Sequence, residues 1–186
     1  MRTLIVYESM YGATRTVADE LAAVAREHGE VLVLAVSEAD GSSAEGADLV
    51  LVGGPTHLHG MSWSMTREAA VKDARAKGAR TEAAAEEPSA ASDAEGPGLR
   101  DWFHKVGCVQ GTPAAAFDTR LSGPAVTTGR ASRGIARRLR HHGFTEVAAP
   151  RSFLVDRSNQ LVEGERERAR EWAGSVLGSL PTAALS

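Results

Sequence analysis

Arg2-Thr3-Leu4-Ile5-Val6-Tyr7-Glu8-Ser9-Met10-Tyr11-Gly12-Ala13-Thr14 is the stretch on which the fold turns. Leu4, Ile5 and Val6 stand together without alternation, as in a strand covered on both faces. Ser9 to Thr14 reads as a tight loop, and Arg15 to His28 as an amphipathic helix. Val17, Leu21 and Val24 share one helical stripe, with Ala18, Ala22 and Ala25 beside it. Gly29 ends the helix. A strand–loop–helix unit with small hydroxyl residues in the loop is a ready anion site. The free N–H groups of the first helical turn face the loop, and the helix dipole favours negative charge there. The plainer reading is that Ser9 and Thr14 merely cap the helix and close a turn.

Outward from this unit, Glu30 to Val36 (EVLVLAV) reads as a second strand and Ala47 to Val52 (ADLVLV) as a third. Gly53-Gly54-Pro55 is expected to break the third strand. Three strands so close together, with one helical crossover, predict a parallel sheet. A connection of roughly sixty residues follows, long against the usual few. Thr66 to Lys77 reads as helical. Gly78 to Gly98 is rich in Ala, Glu, Ser, Gly and Pro and reads as a mobile surface insertion. Leu99 to Val106 recovers helical character. Pro113 to Asp118 (PAAAFD) is the expected fourth strand and Ala125 to Thr127 a short extended piece. Ser132 to His142 reads as an Arg-rich helix, Ser152 to Val155 as the fifth strand, and Leu161 to Leu180 as a closing helix. The prediction is one α/β domain over 1–186: a three-layer, doubly wound, five-stranded parallel sheet.

Composition narrows the function classes. The chain has 186 residues, 42% of them hydrophobic, enough for one sizeable core. A net charge of −3 gives no basic signature for nucleic acid. Cys108 is the single cysteine, so no internal disulfide can form. Together with an N-terminal apolar run too short for a secretory leader and no run of the ~20 apolar residues a membrane span needs, this leads us to expect a cytoplasmic protein.

Several doubly wound families lack support. There is no G-x-x-x-x-G-K-[ST] phosphate loop and no G-x-G-x-x-G after the first strand. The third strand ends in glycines, without the phosphoacceptor Asp of a receiver domain. Ser9 stands where a low-molecular-weight tyrosine phosphatase needs cysteine. What remains is Ser9-Met10-Tyr11-Gly12-Ala13-Thr14, which resembles the flavodoxin phosphate loop S/T-x-T-G-x-T. Its Ser-Met-Tyr-Gly opening is also similar to that of flavodoxin-like quinone reductases. Gly54-Pro55-Thr56 after the third strand resembles both groups.

The resemblance implies a flavodoxin-like fold, strand order 2-1-3-4-5, and bound FMN. Flavodoxin is itself a worked case of the rule that ligands sit at the carboxyl ends of such strands, so this placement is carried over from the family. On the resemblance, Ser9, Met10, Tyr11, Gly12, Ala13 and Thr14 hold the FMN phosphate. Pro55, Thr56, His57, Leu58, His59 and Gly60 run along the isoalloxazine. Asp118, Thr119 and Arg120 close the pyrimidine side. Two departures are visible. Tyr11 replaces the usual Thr, and Asp118 to Gly123 offers no aromatic to stack on the ring, although Trp63 could stack from the second loop. The family is also commonly acidic, whereas this chain is nearly balanced.

Two functions follow from the resemblance: an FMN electron carrier working with a redox partner protein, or an FMN-dependent NAD(P)H:quinone-type oxidoreductase acting on a small quinone-like acceptor. A flavin-free binding module is the third. No catalytic residue is singled out. His57 and His59 lack a nearby Cys or carboxylate to complete a metal set, so no metal site is expected; either could shuttle a proton. The basic cluster Arg130, Arg133, Arg137, Arg138, Arg140, His141 and His142 reads as a solvated helix face or a docking surface for an acidic partner. Cys108, Trp102 and Trp172 read as structural.

Overall fold

The structure is a computed structural model, described over residues 1–56, 98–107, 109–124 and 129–180. Six strand segments form one parallel sheet. In chain order the elements are β1 (Arg2–Tyr7), α1 (Ala13–Ala25), β2 (Glu30–Ala35), β3 (Leu49–Pro55), α2 (Leu99–Lys105), β4 (Pro113–Leu121), α3 (Ala131–His141), β5 (Thr145–Glu146), β6 (Arg151–Val155) and α4 (Glu165–Gly178). The sheet order is β2-β1-β3-β4-β5, with β6 also paired to β4, so the expected 2-1-3-4-5 arrangement is present.

Side-chain alternation along the strands sorts the core into two layers. On one face Leu4, Val6, Val50, Val52, Ala114 and Ala116 pack under α2, α3 and the turn-rich segment 36–48. On the other, Ile5, Leu49, Leu51, Ala115, Phe117 and Phe153 pack under α1 and α4. Each large side chain fully withdrawn from water there contributes roughly 1.5–3 kcal/mol before the entropy of ordering it. Trp172 of α4 meets Phe117 and Phe153 edge-on, at centroid distances of 6.2 and 6.0 Å. Trp102 packs in the opposite layer and donates its indole N–H to the Asp40 carbonyl at 3.0 Å. Both tryptophans are thus structural, as expected.

Several boundaries differ from the sequence reading, each for a tertiary reason. β3 starts at Leu49 and runs through Gly53 and Gly54 to Pro55 instead of breaking at Gly53. The glycines are there for close approach: a Cβ on Gly53 would lie 2.2 Å from the Phe117 ring, and one on Gly54 2.8 Å from Leu99. β4 continues past Asp118 to Leu121, because β3 pairs with it as far as Thr119 and β6 as far as Leu121. Asp118, Thr119 and Arg120 are therefore strand residues, not loop residues. The fifth strand is split into β5 and β6, both parallel to β4, with Pro150 in the interruption. α1 begins at Ala13 and passes into a 3-10 turn at Arg26–His28. The Arg-rich helix spans Ala131–His141 and the closing helix Glu165–Gly178. Leu161 instead bridges Val155, outside that helix. The expected helix at 66–77, the insertion at 78–98 apart from its last residue, the extended piece at 125–127, Trp63 and Cys108 lie outside the described residues.

Candidate functional site

At the carboxyl end of β1 the chain turns through Ser9 to Gly12 into α1. Ser9 is buried, and its Oγ accepts the Gly12 N–H at 3.1 Å, closing the loop from within. Met10 is also buried. Gly12 is the N-cap of α1 at φ 86° and ψ −23°, a left-handed conformation that glycine adopts without a Cβ penalty. A Cβ built there would meet nothing within 4 Å, so that side of the loop is open. As a glycine, the N-cap brings no side chain to the first-turn amides, and that turn holds no acidic residue. Among the described residues no carboxylate is bonded to these amides, so the helix start presents donors and the positive end of its dipole. Thr14 is buried, with its hydroxyl oxygen 2.8 Å from that of Thr119 on β4. One of the two protons bridges the pair, leaving the other free to donate.

The ends of β3 and β4 are bound to the helix layers by alternation. Thr119 points toward α1, and its carbonyl accepts the Thr56 N–H at 2.8 Å. Asp118 points the other way and accepts the Ser132 N–H at 2.7 Å, in the first turn of α3. The Thr56 Oγ1 accepts the neighbouring Ala131 N–H at 2.9 Å. One side chain from β4 and one just past the end of β3 therefore cap α3, which has no cap of its own from Arg130. Glu8 does the same for α2: its Oε2 accepts the Leu99 N–H at 3.0 Å in a buried setting. Arg120 turns its Nη1 back to the Gly123 carbonyl at 2.8 Å, holding the turn after β4.

Burial pushes the Asp118 carboxyl above its ordinary value, against the pull of the Ser132 N–H and the nearby Ser132, Ser152 and Thr56 hydroxyls. Its Oδ1 makes no hydrogen bond to any described residue. Asp118 is thus a buried group bonded through one oxygen, held where β3, β4 and α3 meet.

The structure brings Ser9, Met10, Tyr11, Gly12, Ala13, Thr14, Pro55, Thr56 and Thr119 to the carboxyl edge of the sheet around β1, β3 and β4. It sends Asp118 beneath α3 and Arg120 to the following turn. His57, Leu58, His59 and Gly60 lie outside the described residues. Sequence reasoning missed Glu8 as a helix cap. Its signal was an acid directly after an apolar strand, in register with the side chains of one face. No group of three or more His, Cys, Asp or Glu among the described residues has metal-site geometry.

Comparison with known proteins agrees with this architecture. Residues 4–68 match the flavodoxin domain family model. No curated protein sequence matches the chain. Among solved structures, oxidised Flavodoxin 1 from Bacillus cereus superimposes with a TM-score of 0.66 at 18% identity, covering 97% of this chain and 100% of that one. The flavodoxin, WrbA-like protein from Agrobacterium tumefaciens gives 0.55 at 17% identity, covering 96% of each chain. Rubredoxin oxygen:oxidoreductase from Desulfovibrio gigas gives 0.62 at 20% identity, with all of this chain matching 37% of that protein. At such identities these likenesses establish the fold, which is flavodoxin-like.

Proposed function

We propose that this flavodoxin-like chain is an FMN-binding electron-transfer protein, with the loop Ser9 to Thr14 as the phosphate grip. The observation that carries the reading is the start of α1. An open glycine in left-handed conformation, a helix start whose N-cap brings no side chain and an acid-free first turn stand together at the carboxyl end of β1. β1 is also where the strand order reverses, between β2 and β3. A phosphate dianion fits that donor set. Each hydrogen bond to a charged group contributes roughly 1.5–3 kcal/mol, so several amides and a hydroxyl suffice without a lysine or arginine.

In this reading Ser9 shapes the loop by accepting the Gly12 N–H, Gly12 lets the backbone approach the phosphate, and the amides of Ala13 and Thr14 donate to it. The Thr14–Thr119 hydroxyl pair adds a donor and ties the grip to β4. Pro55 to Gly60 lies along the ring. Asp118 and Thr56 frame the pyrimidine side by fixing the start of α3. Bound FMN would supply one- and two-electron chemistry, while the protein sets its electronics by hydrogen bonding and charge. The described residues contain no helix long and apolar enough to cross a membrane, and we place the protein in the cytoplasm on its single cysteine.

One sequence feature favours a second reading, an FMN-dependent NAD(P)H:quinone-type oxidoreductase. Asp118 to Gly123 carries no aromatic, which would leave one face of the ring open to a flat acceptor. The deciding experiment is flavin uptake followed by turnover. Purified protein is expected to be yellow, or to quench the fluorescence of added FMN. Protein that ignores FMN refutes both readings. Sustained NAD(P)H oxidation with a soluble quinone, and no second protein, moves the assignment from carrier to reductase.

A further inference from the structure

α3 (ASRGIARRLRH) contains no acidic residue, although the chain as a whole carries a net charge of −3. Its arginines divide by what they touch. Arg138 lies over the Phe103 ring, 5.9 Å from the centroid. Arg140 is paired with Glu146. Arg133 and Arg137 are exposed and make no ion pair with any described residue. Arg133, Arg137 and Arg140 stand at i, i+4 and i+7, on one helix face. Together with Ala136, Glu146 and Pro150 they line a cleft of about 390 Å³. Its far wall is formed where the edge of the sheet is interrupted between β5 and β6.

We infer that this cleft is the docking surface for an acidic protein, through a segment carrying carboxylates at alternate positions. Three observations support that occupant. Arg133 and Arg137 are four residues apart on one helix face, a rise of about 6 Å, close to the ~6.6 Å between alternate residues of an extended chain. Ala136 and Pro150 give the cleft an apolar floor that a small inorganic anion would not use. The overall negative charge opposes extended binding to nucleic acid, while a local basic face attracts and orients an acidic protein.

The location gives the surface its purpose. Arg133 follows Ser132, whose N–H is held by Asp118, and Ala131 is held by Thr56. The basic row therefore starts at the rim of the proposed flavin site and runs away from it. A partner seated on α3 would lie beside that rim, suited to electron exchange. This last step rests on the flavin reading; the docking itself does not.

The test is an amide chemical-shift titration of the full chain with two probes, an acidic [2Fe–2S] ferredoxin and a peptide of alternating Glu and Ser. Shifts are expected at Arg133, Arg137, Arg140 and 146–149, diminishing as added salt shortens the screening length. R133E/R137E should weaken binding by about tenfold or more, and R133Q/R137Q by less. R157E, on an exposed turn, should leave it unchanged. Arg133 and Arg137 are exposed and outside any ion pair among the described residues, so folding should survive; unchanged amide dispersion verifies this. Shifts confined to other surfaces, equal binding by R133E/R137E, or a preference for inorganic phosphate or a DNA oligonucleotide over both acidic probes overturns the inference. Colourless protein that gives the expected titration would refute the flavin reading and leave the docking surface standing.

Discussion

Replacing Asp118 separates two things its carboxylate does. The group is buried, accepts the Ser132 N–H at 2.7 Å, and is pushed by burial above its ordinary value. Asp118→Ala strands that amide without a partner, at a cost of about 1–3 kcal/mol. Relief from burying a carboxylate offsets part of this, so a net loss of about 1–2 kcal/mol is expected at neutral pH. In a chain of this size that lowers the melting temperature by about 2–8 °C. Asp118→Asn keeps a carbonyl oxygen for Ser132 and removes the charge, and should melt within about 1 kcal/mol of the wild type.

The pH dependence has a definite sign. A raised folded-state value means that the native protein holds the Asp118 proton more tightly than the unfolded chain does. Wild-type stability relative to the D118N variant is therefore greatest below the ordinary value of 3.8 and is lost as pH rises through the folded-state value. Urea unfolding of both variants and the wild type, from pH 4 to pH 8, reads this directly. If D118N falls as far as D118A, or if the wild type gains on D118N with rising pH, the carboxylate is acting as a charge and our account of its burial is wrong. FMN titration of D118N adds a second readout. Unchanged affinity confines Asp118 to holding α3, whereas a loss of about tenfold places it against the flavin.

Three further outcomes are expected. Thr14→Val removes one member of the 2.8 Å hydroxyl pair with Thr119 and should weaken FMN binding by about tenfold, read by fluorescence quenching; unchanged affinity would move the phosphate elsewhere. Gly53→Ala places a methyl 2.2 Å from the Phe117 ring and should cost about 1–3 kcal/mol or more in urea unfolding, whereas Gly174→Ala, in α4 with nothing within 4 Å, should stabilise by about 0.5–1 kcal/mol. Burial works to raise the Glu20 carboxyl, but hydrogen bonds from Arg170 and Arg166 outweigh it and hold the group below its ordinary value of 4.5. Its tie between α1 and α4 is thus present above that value and lost as pH falls through the lower folded-state value. With both arginines half-exposed, Glu20→Gln should cost only about 0.5–1 kcal/mol at neutral pH, and nothing in strong acid.

Local pattern was enough for the order of the described elements, the parallel sheet and the loop between the first strand and helix. Leu4 to Val6 lacks alternation because both faces are covered, and Gly12 is needed wherever a strand turns into a helix through a left-handed residue. Such features are written within a few residues. Boundaries were less legible because partners distant in sequence set them. Gly53-Gly54 reads as a break locally, yet it is strand, since Phe117 and Leu99 occupy the space above the two glycines. Asp118-Thr119-Arg120 reads as a loop, yet β3 and β6 extend β4 through it. The alternation that follows sends Asp118 to α3 and Thr119 to α1, although they are adjacent. The sequence alone determined that a strand passes through a short loop at Gly12 into a helix, because a left-handed glycine and a helix start require only local conformation. Only the tertiary structure decided which side chains meet beside that loop, as Thr14 and Thr119 do, and which instead cap a helix, as Glu8 and Asp118 do, because their partners lie on other elements of the fold.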